Sequence, residues 1–167
     1  MDDTYDRILL SIGEEYAQDT LRVLQWLAFS ARSLRIEEAA EVIALNSECD
    51  IRFEPERRLT DPRDLLIICS SLVVISPATI KNSYDIEEEV EELKLAHFSV
   101  KEYLVSKRIQ AGPASKFSIL EIPATLTIAQ TCLVYLLQFN KPDSWTPDIY
   151  QEISTGEICS AILASAC

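Results

Sequence analysis

One stretch constrains this chain more than any other: Leu93-Lys94-Leu95-Ala96-His97-Phe98-Ser99-Val100-Lys101-Glu102-Tyr103-Leu104, a strand that runs straight into a helix. Leu93, Leu95 and His97 alternate onto one face, the pattern of a half-buried strand. The apolar spacing then changes to three and four. Ser99 and Glu102 stand at capping-box spacing. The hydroxyl would accept from the third helical N–H, and the carboxylate would reach back to the N–H of Ser99. Phe98 and Tyr103 are placed as a hydrophobic staple around that cap. Val100, Tyr103 and Leu104 continue as an apolar stripe, with Lys101, Glu102, Lys107 and Arg108 toward water.

The flanking chain supplies the rest of a small mixed fold. Asp3 to Tyr16 has helical spacing, interrupted only by Gly13. Asp19 to Ala31 is a helix apolar nearly all round, which places it centrally. Ser33-Leu34-Arg35 is a short connector or strand, and Ile36 to Leu45 a third helix with its glutamates outward. Asn46 to Thr60 is a polar loop. Asp61-Pro62-Arg63-Asp64 is a strong helix start, leading through Ser70 into the β-branched run Leu72 to Ile75. Ser76 to Glu92 holds Pro77 and six carboxylates (Asp85, Glu87, Glu88, Glu89, Glu91 and Glu92), and is taken as the solvated tip of a hairpin. Leu93 to His97 is the return strand. The chain breaks at Ala111-Gly112-Pro113, and Pro123 to Phe139 is a long apolar helix. Beyond it lie a proline-containing loop to Pro147 and a weakly patterned stretch, Gln151 to Cys167.

Helix, helix, short strand, helix, helix, strand, acidic hairpin, strand, helix is the order of a winged helix. The expected class is mainly α (α+β), a winged helix with a two-stranded wing and additional flanking helices. The expected divisions are 1–18 as a linker helix, 19–110 as the winged-helix domain, 111–143 as a helical extension and 144–167 as a poorly specified tail.

Composition narrows the function. A net charge of −12 opposes nucleic acid, whose phosphates need Lys and Arg, and anionic membrane surfaces as well. The helix starting at Arg63 would be the groove reader, yet it offers one arginine between Asp61 and Asp64. The near-apolar run Leu65 to Ile75 is too short to span a bilayer. Five cysteines lack C-x2-C spacing, so reduced thiols in a cytoplasmic protein are expected, with no metal. The chain has no G-x-x-x-x-G-K-[ST] and no G-x-S-x-G, so neither a phosphate loop nor a nucleophile elbow is expected. No enzymatic activity and no catalytic residue are expected. On the residues alone, the single histidine, His97, is a half-buried core side chain satisfied by a carbonyl or carboxylate.

A resemblance adds a second reading of His97. His97-Phe98-Ser99-Val100-Lys101-Glu102-Tyr103-Leu104 resembles the H-x-S-[FV]-x-[DE]-[FY]-L signature of the winged-helix domain in fungal STAND NTPases. These are NLR-like proteins in which a NACHT nucleotide-binding domain precedes the winged helix and ankyrin repeats often follow. Thr4 to Leu9, Arg22 to Leu27, Asp64 to Leu72 and Ile128 to Leu136 are similar to further blocks of the family, in the same order. The same winged-helix type also goes by the name of a GPI inositol-deacylase, a hydrolase that this chain does not contain. The resemblance implies a regulatory module in signal transduction that docks on a NACHT domain, in cis or in trans, and helps hold its ADP-bound state. It implies that His97 touches the nucleotide, while ADP or ATP is bound mainly by the NACHT domain, with no cofactor in this chain. Phe98 stands where related plant and animal proteins carry Asp, so the acidic partner is not carried over. The chain begins where the NACHT domain would precede it, and from Ser144 onward the likeness ends. The other expectation is a free-standing protein-interaction domain, an adaptor or decoy.

Overall fold

The computed structural model of the chain describes residues 2–46, 52–81 and 85–138. The helices are α1 (Asp2–Leu10), α2 (Glu14–Phe29), α3 (Ile36–Glu41), α4 (Leu65–Ile68), α5 (Phe98–Leu104), α6 (Lys107–Ala111) and α7 (Glu121–Gln138). The strands are β1 (Leu34–Arg35), β2 (Leu45–Asn46), β3 (Arg52–Phe53), β4 (Val73–Lys81) and β5 (Glu87–Leu95). β1, β5 and β4 form an antiparallel sheet in that order, and β2 pairs with β3. Seven helices around a small three-stranded sheet make an α+β, winged-helix-like fold.

The first two helices divide elsewhere than the spacing predicts. α1 stops at Leu10 and α2 starts at Glu14. Gly13 is the extended residue before α2, at φ −56° and ψ 146°. Glu14 is fixed there by Lys116. α2 then runs unbroken past residue 18, so the division drawn between 18 and 19 falls inside one helix. Leu9, Leu24, Leu93, Phe117, Ile128 and Tyr135 all belong to one core cluster.

α2 is central, as its apolar circumference requires: Val23, Leu24, Trp26 and Ala28 are buried. Thr20 and Asp19 on this helix are satisfied inside the protein, whereas the buried Trp26 indole N–H has no hydrogen-bond partner among the described residues. Thr20 Oγ1 donates to the carbonyl of Ile68 at 3.0 Å. Asp19 accepts from Arg57 at 2.7 Å and from Arg22 at 3.4 Å.

One short ladder and several helix breaks escape the sequence pattern. The expected helix to Leu45 ends at Glu41, continues as a 3-10 turn over Val42–Ala44 and then pairs Leu45 with Phe53. The polar loop expected from Asn46 therefore opens on a two-residue ladder. Asp61 caps the next helical segment as predicted, accepting from the Arg63 N–H at 2.9 Å. That segment is 3-10 over Pro62–Asp64, α over Leu65–Ile68 and 3-10 again over Ser70–Leu72.

The wing is longer than the charge run suggests. Strand pairing continues from Val73↔Leu95 to Lys81↔Glu87, through the region expected to be a loop tip. Charged residues persist in this ladder because the outer part of the wing is open to water on both faces: Glu87, Glu88 and Glu89 are all exposed. Pro77 is tolerated because β4 is the edge strand. Near the tip, Lys81 bonds Asp85 at 2.8 Å, and Asp85 takes the left-handed φ of 60° that Asp adopts more readily than most residues. The loop and tail expected from Lys141 to Cys167 lie outside the described residues.

Candidate functional site

The strand β5 ends at Leu95, so His97 is not on its apolar face. Leu95 is paired with Val73, the first residue of β4, and the Ala96 N–H donates to the Leu72 carbonyl at 2.8 Å. Beyond that point no partner strand remains. His97 is exposed, with extended backbone at φ −154° and ψ 149°. The expected half-buried core histidine is thus corrected to a surface residue.

The helix cap is corrected with it. His97, not Ser99, is the N-cap of α5. Its Nδ1 accepts from the Ser99 N–H at 3.2 Å. Nδ1 lies one bond beyond Cγ, where Asn or Asp carries a capping oxygen, so the imidazole takes over an Asn-like role. The Ser99 N–H is therefore already engaged, and Glu102 lies exposed instead of closing a capping box. Nor is there a staple: Phe98 is 69% exposed, its ring 4.4 Å from the His97 ring, while Tyr103 is buried.

Tyr103 turns toward α1. Its ring stacks on Tyr5 at 5.4 Å between centroids, and its hydroxyl donates to Asp6 at 2.7 Å. Burial and the adjacent Asp6 carboxylate push the Tyr103 phenol up to about 12. The Tyr5 hydroxyl lies 2.6 Å from Ser99 Oγ, which lies 2.7 Å from His97 Nδ1. Asp2 and Arg108 close the same seam with an ion pair at 2.6 Å. The sequence pattern left this α1–α5 seam hidden, because its partners stand 94 to 106 residues apart. Tyr5 carries the one available signal, a polar-tipped aromatic on the apolar stripe of α1.

Elsewhere the surface is anionic. A cleft of about 600 Å³ between α3 and the wing is lined by Glu37, Glu38, Glu88, Glu89 and Glu91 against Arg35. Glu91 also engages Arg63 at 3.0 Å. The arginine that would lead a groove-reading helix is thus spent on the wing. The exposed side chains of that helix are Leu66 and Ile67, with Ile67 75% exposed. Among the described residues no group of three or more His, Cys, Asp or Glu is arranged to hold a metal, and no helix is long and apolar enough to cross a membrane. Cys69 and Cys132 are buried cysteines. Burial raises the Cys69 thiol to about 12, with help from Asp19, and the Cys132 thiol to about 11.

No protein-family profile matches the chain, and no solved structure does. The chain is 41% identical over 138 residues to a Monascus ruber protein named Azaphilone pigments biosynthesis cluster protein L. That name places the relative in a biosynthesis cluster and states no activity. The alignment takes in 83% of this chain and 28% of the Monascus protein, so the chain spans little more than a quarter of that relative's length.

Proposed function

We propose that the chain is a non-catalytic winged-helix regulatory module of a cytoplasmic STAND NTPase. It docks on a NACHT domain and helps hold the ADP-bound state through His97. The observation that carries this reading is the exposure of His97 on a built helix cap. A core histidine would be unable to reach a nucleotide. Here Nδ1 is engaged by Ser99 and Nε2 is left for an outside acceptor. The anionic cleft is a poor alternative for phosphate. Glu89 in that cleft lies six residues up β5 from Leu95, about 20 Å from the His97 end at strand rise. The test is His97→Ala in a protein that includes the NACHT domain. ADP should dissociate about tenfold faster, the effect of losing a hydrogen bond to a charged group worth about 1.4 kcal/mol. An unchanged off-rate would sink the nucleotide role.

A second reading is a free-standing adaptor or decoy, favoured by the apolar side chains on the surface of α7: Ile122, Leu126 and Leu133 are 74%, 58% and 60% exposed.

A further inference from the structure

The hydrogen bonds around His97 specify more than its position. A backbone N–H can only donate, so Nδ1, which receives the Ser99 N–H, must be unprotonated. In a neutral imidazole the proton then sits on Nε2. Ser99 Oγ lies 2.7 Å from the same nitrogen, whose single lone pair it shares with that N–H as the nearer donor, and the hydroxyl is itself engaged by Tyr5 at 2.6 Å. With Nδ1 an acceptor, the chain of donors runs one way: Tyr5 O–H to Ser99 Oγ, Ser99 O–H to His97 Nδ1. Each donation polarises the next bond in the same sense.

We propose that Ser99, backed by Tyr5 from α1, is a positioning residue that locks His97 as the Nε2–H tautomer, so that this end of the molecule presents a neutral N–H donor to an acceptor oxygen. The nucleotide reading above enters only in naming that oxygen as a phosphate's; the tautomer follows from the hydrogen bonds alone. The arrangement also makes His97 report on α1. Tyr5 is held against α5 by its ring stack on Tyr103, while the Asp6–Tyr103 bond and the Asp2–Arg108 pair hold the same helix. Movement of α1 away from α5 would withdraw the Tyr5 hydroxyl and loosen the lock. The opposite tautomer, with the proton on Nδ1, would set two N–H groups against each other at the cap and leave the Ser99 N–H without an acceptor.

His97 is the only histidine of the sequence, so its ring signals need no assignment by mutation. The experiment is imidazole 15N–1H correlation NMR on the 167-residue chain at mildly alkaline pH. In the wild type, Nε2 should give the protonated signature and Nδ1 the unprotonated one. Ser99→Ala, which keeps the backbone N–H but removes the shorter hydroxyl bond, should move both nitrogens part of the way toward the averaged shifts of two exchanging tautomers, and Ser99→Thr, which keeps a hydroxyl, should restore the wild-type pattern. Tyr5→Phe, which keeps the ring stack, should produce a smaller shift in the direction of Ser99→Ala. If Ser99→Ala does not fold, Tyr5→Phe and Ser99→Thr carry the test. Averaged or Nδ1-protonated signals in the wild type would overturn the proposal, as would a Tyr5→Phe pattern identical to wild type. A fixed tautomer together with unchanged ADP retention in His97→Ala would overturn the nucleotide reading and leave this one standing.

Discussion

The Tyr103 hydroxyl donates a hydrogen bond to the Asp6 carboxylate at 2.7 Å, joining two helices through residues that stand 97 apart in sequence. Burial, helped by this bond, holds the phenol in its neutral form and raises it to about 12. In the unfolded chain a tyrosine ionises near pH 10. Its folded-state value is the higher one, so its stabilisation is complete below about pH 10 and is lost as pH rises toward 12. Denaturant midpoints measured from pH 8 to 11.5 should fall above pH 10, and Tyr103→Phe should flatten that fall. At pH 8 the same variant should lose about 1.5–3 kcal/mol, the worth of a hydrogen bond to a charged acceptor.

Asp19 is the pivot of a buried charge cluster. It is 9% exposed and stands between Arg22, 4% exposed, and Arg57. Removing one member of a buried pair leaves the other charge short of its partner. Asp19→Ala should cost about 3 kcal/mol in urea unfolding. Asp19→Asn, which keeps an acceptor oxygen, should cost less. A loss below about 0.5 kcal/mol for the alanine variant would show that Arg22 is satisfied without it.

Cys69 and Cys132 should resist alkylation in the native protein. Both are buried, and burial holds their thiols at about 12 and about 11, whereas the thiolate is the reactive form. Pulse labelling with iodoacetamide at pH 8, read peptide by peptide, should leave both unmodified until denaturant is added. Labelling at the native state would mean that α2, α4 or α7 opens readily.

The wing should repel nucleic acid. Arg63 is paired with Glu91, and the neighbouring cleft is lined mainly by carboxylates. A random duplex in a low-salt gel shift should stay free at micromolar protein. Glu91→Ala releases the Arg63 guanidinium and should leave the denaturant midpoint nearly unchanged, because the pair is solvent-exposed. Duplex retardation by the wild type would refute the exclusion.

The fold class was legible because it rests on local signals. Asp61-Pro62 reads as a helix start, and Asp61 caps there. Ser33-Leu34-Arg35 reads as a short connector or strand, and Leu34 and Arg35 pair with Leu93 and Glu92. The misreadings share a cause. Gly13 marks the true break between α1 and α2, yet apolar spacing runs on through Tyr16 and conceals it. Glu87 to Glu89 read as solvated loop because charge run and exposed strand look alike until a partner strand is known. Ser106 starts a new helix where the pattern continues through Arg108, and its hydroxyl accepts from the Ile109 N–H.

By itself the sequence determined the α+β class, the central place of α2, the anionic wing and the start of a helix just past His97. Those follow from hydrophobic period, charge and cap chemistry, which act over a few residues. Only the tertiary structure decided what His97 does. Whether a residue two positions beyond Leu95 remains in a strand depends on whether the neighbouring strand reaches that far, and β4 begins opposite Leu95. That missing partner frees His97 to cap α5 in place of Ser99. It also leaves the Ser99 hydroxyl to Tyr5, which sits 94 residues away in sequence and 2.6 Å away in space.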